Sequence, residues 1–300
     1  MWVDDESNSD IETFRQEGVL ALRNVIDQVT IATLKQHFWQ SIERSFAIRE
    51  DDPASWFARF DDPVVKERGY RLSGTNAVMD ELQSNGSFEP SLTAITKRVN
   101  SIFGADRWEP LDKWYSLLTF PGTEGGWNVP HQRWHSDEPI VVGDDEPWSL
   151  FAFVFLDVVD RATGPTVAVT GSHRRGEVFA SRDGVLDGRQ VRAFSHVNRD
   201  VVMDPDALRL LPVGDLLDRL VETNEWFAEL CTAGPPLDRM EQFVSNGTSA
   251  DGTHCRVTEI TGSPGDVVVF DPRALHSPSR NVSGRPRQVL RIDLRRLAPS

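Results

Sequence analysis

Long apolar runs are missing from this 300-residue chain, and none approaches the roughly 18 consecutive apolar residues a membrane-crossing helix requires. The opening Met1-Trp2-Val3-Asp4-Asp5-Glu6 also lacks the basic and apolar regions of a secretory signal. A cytoplasmic location with no membrane partner is therefore expected. Cysteine is scarce: Cys231 and Cys255 are the only two, too few for a disulfide framework, and reduced packing thiols are expected. Cations are outnumbered, with 32 Lys and Arg against 46 Asp and Glu, a formal charge of −14. Because phosphate binding depends on clustered cations, this balance argues against a general nucleic-acid binder. Ser172 lacks a Gly-x-Ser-x-Gly elbow and neither cysteine has a nucleophile's surroundings, so a covalent triad is not supported.

What is present suits one packed core. With 39% hydrophobic residues, the chain is expected to form a single domain over 1–300. Residues 1–105 read as mostly helical with one short strand: Ile31, Leu34, Phe38, Ile42 and Phe46 recur at helical intervals. Strands are expected at 114–120, 150–156, 166–170, 257–260, 267–270 and 289–294, separated by Pro121-Gly122, Thr163-Gly164-Pro165, Gly262-Ser263-Pro264-Gly265 and Ser283-Gly284. The fold expected is mainly β with helical additions, a double-stranded β-helix or cupin-like jelly roll formed by 106–180 and 253–300. An insert at 182–252 reads as helical over 204–230, with a break at Pro212-Val213-Gly214. It is either an active-site lid or a helix packed on the outer sheet, and 245–252 is either a gate or a plain loop.

The chemistry concentrates in Gln132-Arg133-Trp134-His135-Ser136-Asp137. Residues two apart on an extended chain project to the same side, so His135 and Asp137 can grip one ion. A second imidazole, His276, follows the apolar run Val267-Val268-Val269-Phe270, and a barrel brings such a distant strand alongside. Two imidazoles and a carboxylate can cap one face of an octahedral Fe(II), leaving three positions open for a co-substrate and dioxygen. Arg285, Arg287 and Arg291 come next. On a strand over 287–294, Arg287, Val289 and Arg291 share one face and Gln288, Leu290 and Ile292 the other. The planar guanidinium fork can pair with a carboxylate such as the distal one of 2-oxoglutarate. These arginines, with Arg273, Arg280, Arg295 and Arg296, otherwise solvate an outer face or meet an anionic substrate.

Taken in order, these features resemble the phytanoyl-CoA dioxygenase family of Fe(II)- and 2-oxoglutarate-dependent oxygenases, nearly end to end. The opening from Ile11 to Leu22 is similar to the family's N-terminal helix, glycine and short strand, and a second helix is expected over 29–46. The His-x-Asp triplet, the stretch from Gly164 to His173, and the Gly-Asp-strand-His ending follow the family's order. The resemblance implies His135, Asp137 and His276 as metal ligands and Arg287, eleven residues beyond His276, as the 2-oxoglutarate arginine. Gln132 and Thr166 match positions that contact 2-oxoglutarate in the branch with fungal alkaloid oxygenases. By themselves, they read as a loop amide and an ordinary β-branched strand residue.

The activity so implied couples decarboxylation of 2-oxoglutarate to succinate with oxidation, foremost hydroxylation, of an unactivated C–H bond. Desaturation, ring closure and endoperoxide formation are open to the same site. The expected substrate is a small organic molecule of natural-product biosynthesis, met by a monomer or homodimer. An acyl-CoA or amino-acid-derived substrate is the alternative, as is a non-catalytic jelly-roll binding protein. Two departures from the family bear on the substrate: Pro278 replaces a common serine, and the 182–252 insert is long. His131, His173, His196 and His254 are given no ligand role, and Trp127, Trp134 and Trp148 suit packing better than a substrate pocket.

Overall fold

A computed structural model describes residues 5–123, 125–183 and 209–297. Its strands are β1 (Val19–Leu22), β2 (Tyr70–Arg71), β3 (Trp108–Ser116), β4 (Thr119–Phe120), β5 (Ile140–Val141), β6 (Ser149–Phe155) and β7 (Thr166–Val169), continuing with β8 (Leu210–Leu211), β9 (Thr248–Ala250), β10 (Thr253–Cys255), β11 (Val257–Glu259), β12 (Val267–Phe270), β13 (His276–Pro278) and β14 (Val289–Arg296). Two sheets matter most. The larger is antiparallel, in the order β1-β12-β6-β14-β3, and the smaller is β11-β7-β13. They form the jelly-roll core expected from the sequence, but it does not close into a barrel.

The alternation of side chains along each strand builds the layers. On β6, Leu150, Ala152 and Val154 face the N-terminal helices and pack with Leu34, Phe38, Ile95 and Val99. Phe151, Phe153 and Phe155 face the other way, joining Ala168, Ile260, Val268, Phe270 and Val289 between the sheets. Both faces of β6 are covered, and all seven of its residues are buried, so its sequence shows no polar alternation. β14 divides as expected, with Leu290 and Ile292 toward the helices and Val289 toward the inner space.

The bracing helices begin where sequence chemistry starts them. Asp27 accepts from the backbone N–H of Val29 and Thr30 at the head of the Gln28–Phe46 helix, replacing bonds the first turn cannot make internally. Asp52 and Asp62 cap the short helices Pro53–Trp56 and Pro63–Arg68, each with proline in the first turn.

The insert differs from its sequence reading. The residues from 184 to 208, among them His196 and the expected helix start at 204, lie outside the described residues. Beyond them stand two helices, Asp215–Thr223 and Glu225–Leu230, divided at Asn224, whose side chain caps Trp226 N at 2.9 Å. Leu216, Leu220, Trp226, Phe227 and Phe243 pack on Val167, Val169 and Val257, the outer face of the smaller sheet. The described helices of the insert thus lie packed on that face. The 245–252 segment runs from the end of a helical turn at Asn246 into β9 and the turn of a β-hairpin with β10, at Asp251-Gly252 with φ of 51° and 73°. Two positive φ values match the right-handed strand twist, which is why Asp-Gly suits this turn.

A buried ion pair fixes the turn before β13. Arg273 and Asp271 are 3% and 1% exposed in their side chains and pair at 2.9 Å. Arg273 also donates to the carbonyls of Asp144 and Asp145, both at 3.2 Å, while Asp271 N donates to Gly18 O at 2.8 Å. Burial opposes ionisation of Asp271, but the Arg273 charge and hydrogen bonds outweigh it and lower its pKa. Gly18 has φ +75°, and a Cβ there would lie 2.9 Å from the His173 ring. That contact accounts for a glycine at the end of the first helix and for the packing role of His173. Replacing Arg273 by Met should leave Asp271 buried without its counter-charge and cost about 3–5 kcal/mol in urea unfolding. A loss well below 1 kcal/mol would show that water or a neighbour compensates.

Candidate metal centre

Backbone pairing brings the two imidazoles together. His135 N donates to His276 O at 3.0 Å and His276 N donates to His135 O at 2.9 Å. Directly opposed residues of an antiparallel pair project to one face, and the ring centroids are 4.1 Å apart. This bridge adds His135 to the edge of the smaller sheet, where β13 pairs with β7 and His276 lies opposite Ala168. Asp137, two residues on, is tied down by its N–H donating to Pro272 O at 2.8 Å.

The donor set fits a divalent metal. Asp137 oxygens lie 3.7 Å from His135 Nε2 and 3.6 Å from His276 Nε2. One ligand atom from each of His135, Asp137 and His276 falls within 4.8 Å of the others. Both Nδ1 atoms face backbone carbonyls, Arg133 O at 2.8 Å and Ala274 O at 3.1 Å. With the proton held there, each Nε2 presents a lone pair toward the common point, an outer contact characteristic of metal-binding histidine. Burial, then the neighbouring His276 charge, lowers the His135 pKa and favours the neutral, ligating imidazole.

Adjacent carboxyls have opposite fates. Burial acts against the Asp137 charge, but His276, His135 and Arg291 together pull its pKa down. Glu138 points into the core, where burial pushes it up to about 8 and Ser149 donates to it. One chain turn thus supplies an ionised acceptor at the open face and a protonated acid behind it.

Arg291 braces the ionised one. Its guanidinium lies 4.3 Å from the Tyr115 ring centre and 4.0 Å from that of Phe151, with Nε 2.9 Å from Asp293 and a terminal nitrogen 3.6 Å from Asp137. Burial raises the Asp293 pKa to about 6, against the pull of Arg291. Stacking between two rings fixes the guanidinium plane, so it can orient Asp137 without mobile side-chain entropy to overcome.

Arg287, two residues before β14, is 4% exposed. It bridges to Thr119 through the backbone and donates to the carbonyls of Gly164 and Leu117, while its Nε is buried without a hydrogen-bond partner. Burial, with the nearby Arg71 charge, lowers its pKa to about 10, still far above neutrality. A carboxylate would satisfy both the charge and the orphaned nitrogen. Thr166 lies two residues from Gly164, opposite Pro278 in the β7–β13 pairing, and shares a sheet face with Ala168 and hence with His276. Gln132 is exposed, and its carbonyl accepts from Ser277 Oγ at 2.9 Å. Its amide has no hydrogen-bond partner among the described residues. Pro278 offers no donor, but Ser279 Oγ donates to Pro165 O at 2.6 Å and receives Trp127 Nε1 at 3.1 Å, holding the turn before Thr166.

Several neighbours escape sequence reasoning. Arg71, Tyr115, Phe151 and Asp293 carry no motif, although Asp293 has the same strand parity as Arg287 and Arg291. Arg133 lies inside the motif, and its φ of 65° aims its carbonyl at His135. Trp134 is buried with the insert helices, in agreement with a packing role.

A family model described as phytanoyl-CoA dioxygenase (PhyH) matches residues 14–289. No curated protein matches the chain. Among solved structures, the epimerase SnoN in complex with Fe3+, alpha ketoglutarate and nogalamycin RO is 15% identical, with 97% of this chain and 83% of that one covered and a TM-score of 0.50. AviO1 from Streptomyces viridochromogenes Tue57 is 18% identical over 100% and 98%, with a TM-score of 0.49. EctD from S. alaskensis with bound Fe is 17% identical over 98% and 79%, with a TM-score of 0.47. At such identities the likeness concerns the fold.

Asp137→Ala should abolish stoichiometric Fe(II) binding, read by anaerobic metal titration, while the unfolding midpoint stays within a few degrees of wild type. Retained tight binding would show that the ion is held elsewhere.

Proposed function

The chain belongs to the phytanoyl-CoA dioxygenase family, and on that premise we propose that it oxidises, by hydroxylation, an unactivated C–H bond of a small organic molecule in natural-product biosynthesis. The family makes it a non-haem iron, 2-oxoglutarate-dependent oxygenase. The convergence of two Nε2 lone pairs and one ionised carboxylate within 4.8 Å carries the reading of its site. His135, Asp137 and His276 would hold the iron. Arg287 pairs with the distal carboxylate of 2-oxoglutarate, its buried Nε supplying the unmet donor. Gln132 and Thr166 contribute neutral donors beside it. When bound, iron and 2-oxoglutarate supply the oxygen-activating chemistry, with succinate and carbon dioxide released.

The protein's own task is to bind, orient and exclude water. The phenylalanines between the sheets close the inner side, so the reacting face is backed by apolar surface. The natural-product reading draws support from SnoN, whose solved complex contains nogalamycin RO. We further propose that it works as a monomer or homodimer in the cytoplasm; among the described residues no helix is long and apolar enough to cross a membrane.

Anaerobic addition of Fe(II) and then 2-oxoglutarate to the metal-free protein should produce the weak visible charge-transfer band of the bidentate complex. In Arg287→Ala, the half-saturating 2-oxoglutarate concentration should rise about ten- to a hundred-fold while Fe(II) affinity holds, as expected for losing a hydrogen-bonded charge pair. Unchanged co-substrate affinity would remove Arg287 from the assignment. A folded, iron-binding protein with no band would point to another co-substrate or a binding role.

A further inference from the structure

Iron ligation and one co-substrate carboxylate do not account for all the positive charge gathered at this centre. Strand register assembles it. Arg71 on β2 lies opposite Thr119 on β4, and Thr119 is bridged in turn to Arg287. Paired residues share a face, so Arg71 and Arg287 stand on the same side two strands apart, about 10 Å between backbones. The Arg71 guanidinium donates to Ser116 O at 3.2 Å, beside Tyr115, over which Arg291 lies. Arg133 lies in the loop that carries His135, two residues before it. Partial loss of water, then the charges of Arg291 and Arg133, lower the Arg71 pKa, and Arg71 acts likewise on Arg287. Arg71 is exposed over its surface as a whole, so only its head feels this crowding.

The four cations differ in what already satisfies them. Arg291 is held by Asp293 and Asp137, and Arg287 is buried on two carbonyls with one orphaned nitrogen. Arg71 has a single carbonyl, and neither it nor Arg133 pairs with a carboxylate among the described residues. In a chain of net charge −14 acidic partners are plentiful, yet Arg71 is left without one beside Arg287 and Arg291, where its head is free to meet an anion.

Resting on the oxygenase reading above, we propose that Arg71 binds an anionic group of the substrate, a carboxylate or a phosphate or sulfate ester. Anchoring there would hold the rest of the molecule against the open face of His135, Asp137 and His276. Arg71 is then a specificity-determining residue: it leaves oxidation to the metal centre and selects substrates by charge.

The test uses the whole protein loaded anaerobically with Fe(II) and 2-oxoglutarate. Sulfate and acetate are titrated separately at constant ionic strength, with chloride as the control, and the charge-transfer band is followed. A saturable shift absent with chloride is expected; acetate alone would indicate a carboxylate substrate and sulfate alone a tetrahedral anion. Arg71→Gln keeps a donor for Ser116 O and should raise the half-saturating anion concentration about ten-fold, with 2-oxoglutarate affinity unchanged. Arg71→Lys should recover part of the loss. No saturable shift, or the same shift in Arg71→Gln, overturns the assignment, as does weakened 2-oxoglutarate binding in that variant, which would make Arg71 part of the co-substrate site. A missing band in the wild type before any anion is added instead sinks the oxygenase reading, and this inference with it.

Discussion

The reciprocal hydrogen bonds between His135 and His276 are the constraint on which the site depends. They make two residues 141 positions apart in sequence direct neighbours on a sheet edge, and the pleat then leaves no choice about side-chain direction. Slipping that register by one residue would turn an imidazole to the opposite face, away from Asp137. Both Nδ1 atoms are occupied by carbonyls two residues upstream, Arg133 O and Ala274 O, so the backbone that pairs the strands also fixes which nitrogens are free. Topology and tautomer are therefore set together.

Charge placement behind the centre follows from the same need for rigidity. The turn leading into His276 contains Pro272, whose carbonyl receives the Asp137 N–H, and it is flanked by Asp271 and Arg273. A buried ion pair is poor evidence of net stability, because desolvation offsets most of its attraction. Here it closes a backbone turn and ties it to Gly18 and to the carbonyls of Asp144 and Asp145. Its contribution is best seen as position: it determines where Pro272 O sits, and hence where Asp137 is held. Arg291, pinned between Tyr115 and Phe151, constrains the same carboxylate from the other side.

Local patterns made much of this legible. Two-residue spacing put His135 and Asp137 on one side, and the apolar run before His276 marked a buried strand; the pairing between them obeys no local rule and needed the resemblance to a family. Arg287 and Arg291 were placed on one face by strand parity, and the structure keeps them there. Arg71 was illegible, since its two-residue strand carries no periodicity and its partner Thr119 lies 48 positions away. The insert reads as helical over 204–230 with its break at Pro212-Val213-Gly214, and the second division, at Asn224, is missed because the apolar positions run on from Leu216 to Leu230 and the cap looks like an ordinary polar residue. The 245–252 stretch read as loop from its Ser, Asn and Gly content, although Asp251-Gly252 is a hairpin turn signal in its own right.

The contrast between global and local charge sharpens what the site can select. A net charge of −14 repels anions at long range, but at physiological salt that field fades over about 8 Å. Inside that distance a ligand meets Arg71, Arg133, Arg287 and Arg291, whose effect is reinforced by the apolar backing of Phe151, Phe153 and Phe270. Such a site would gain little from electrostatic steering on approach and would discriminate only after contact. An anionic substrate should therefore differ from its neutral analogue chiefly in how long it stays bound, because the attraction is confined to a range in which the complex has already formed.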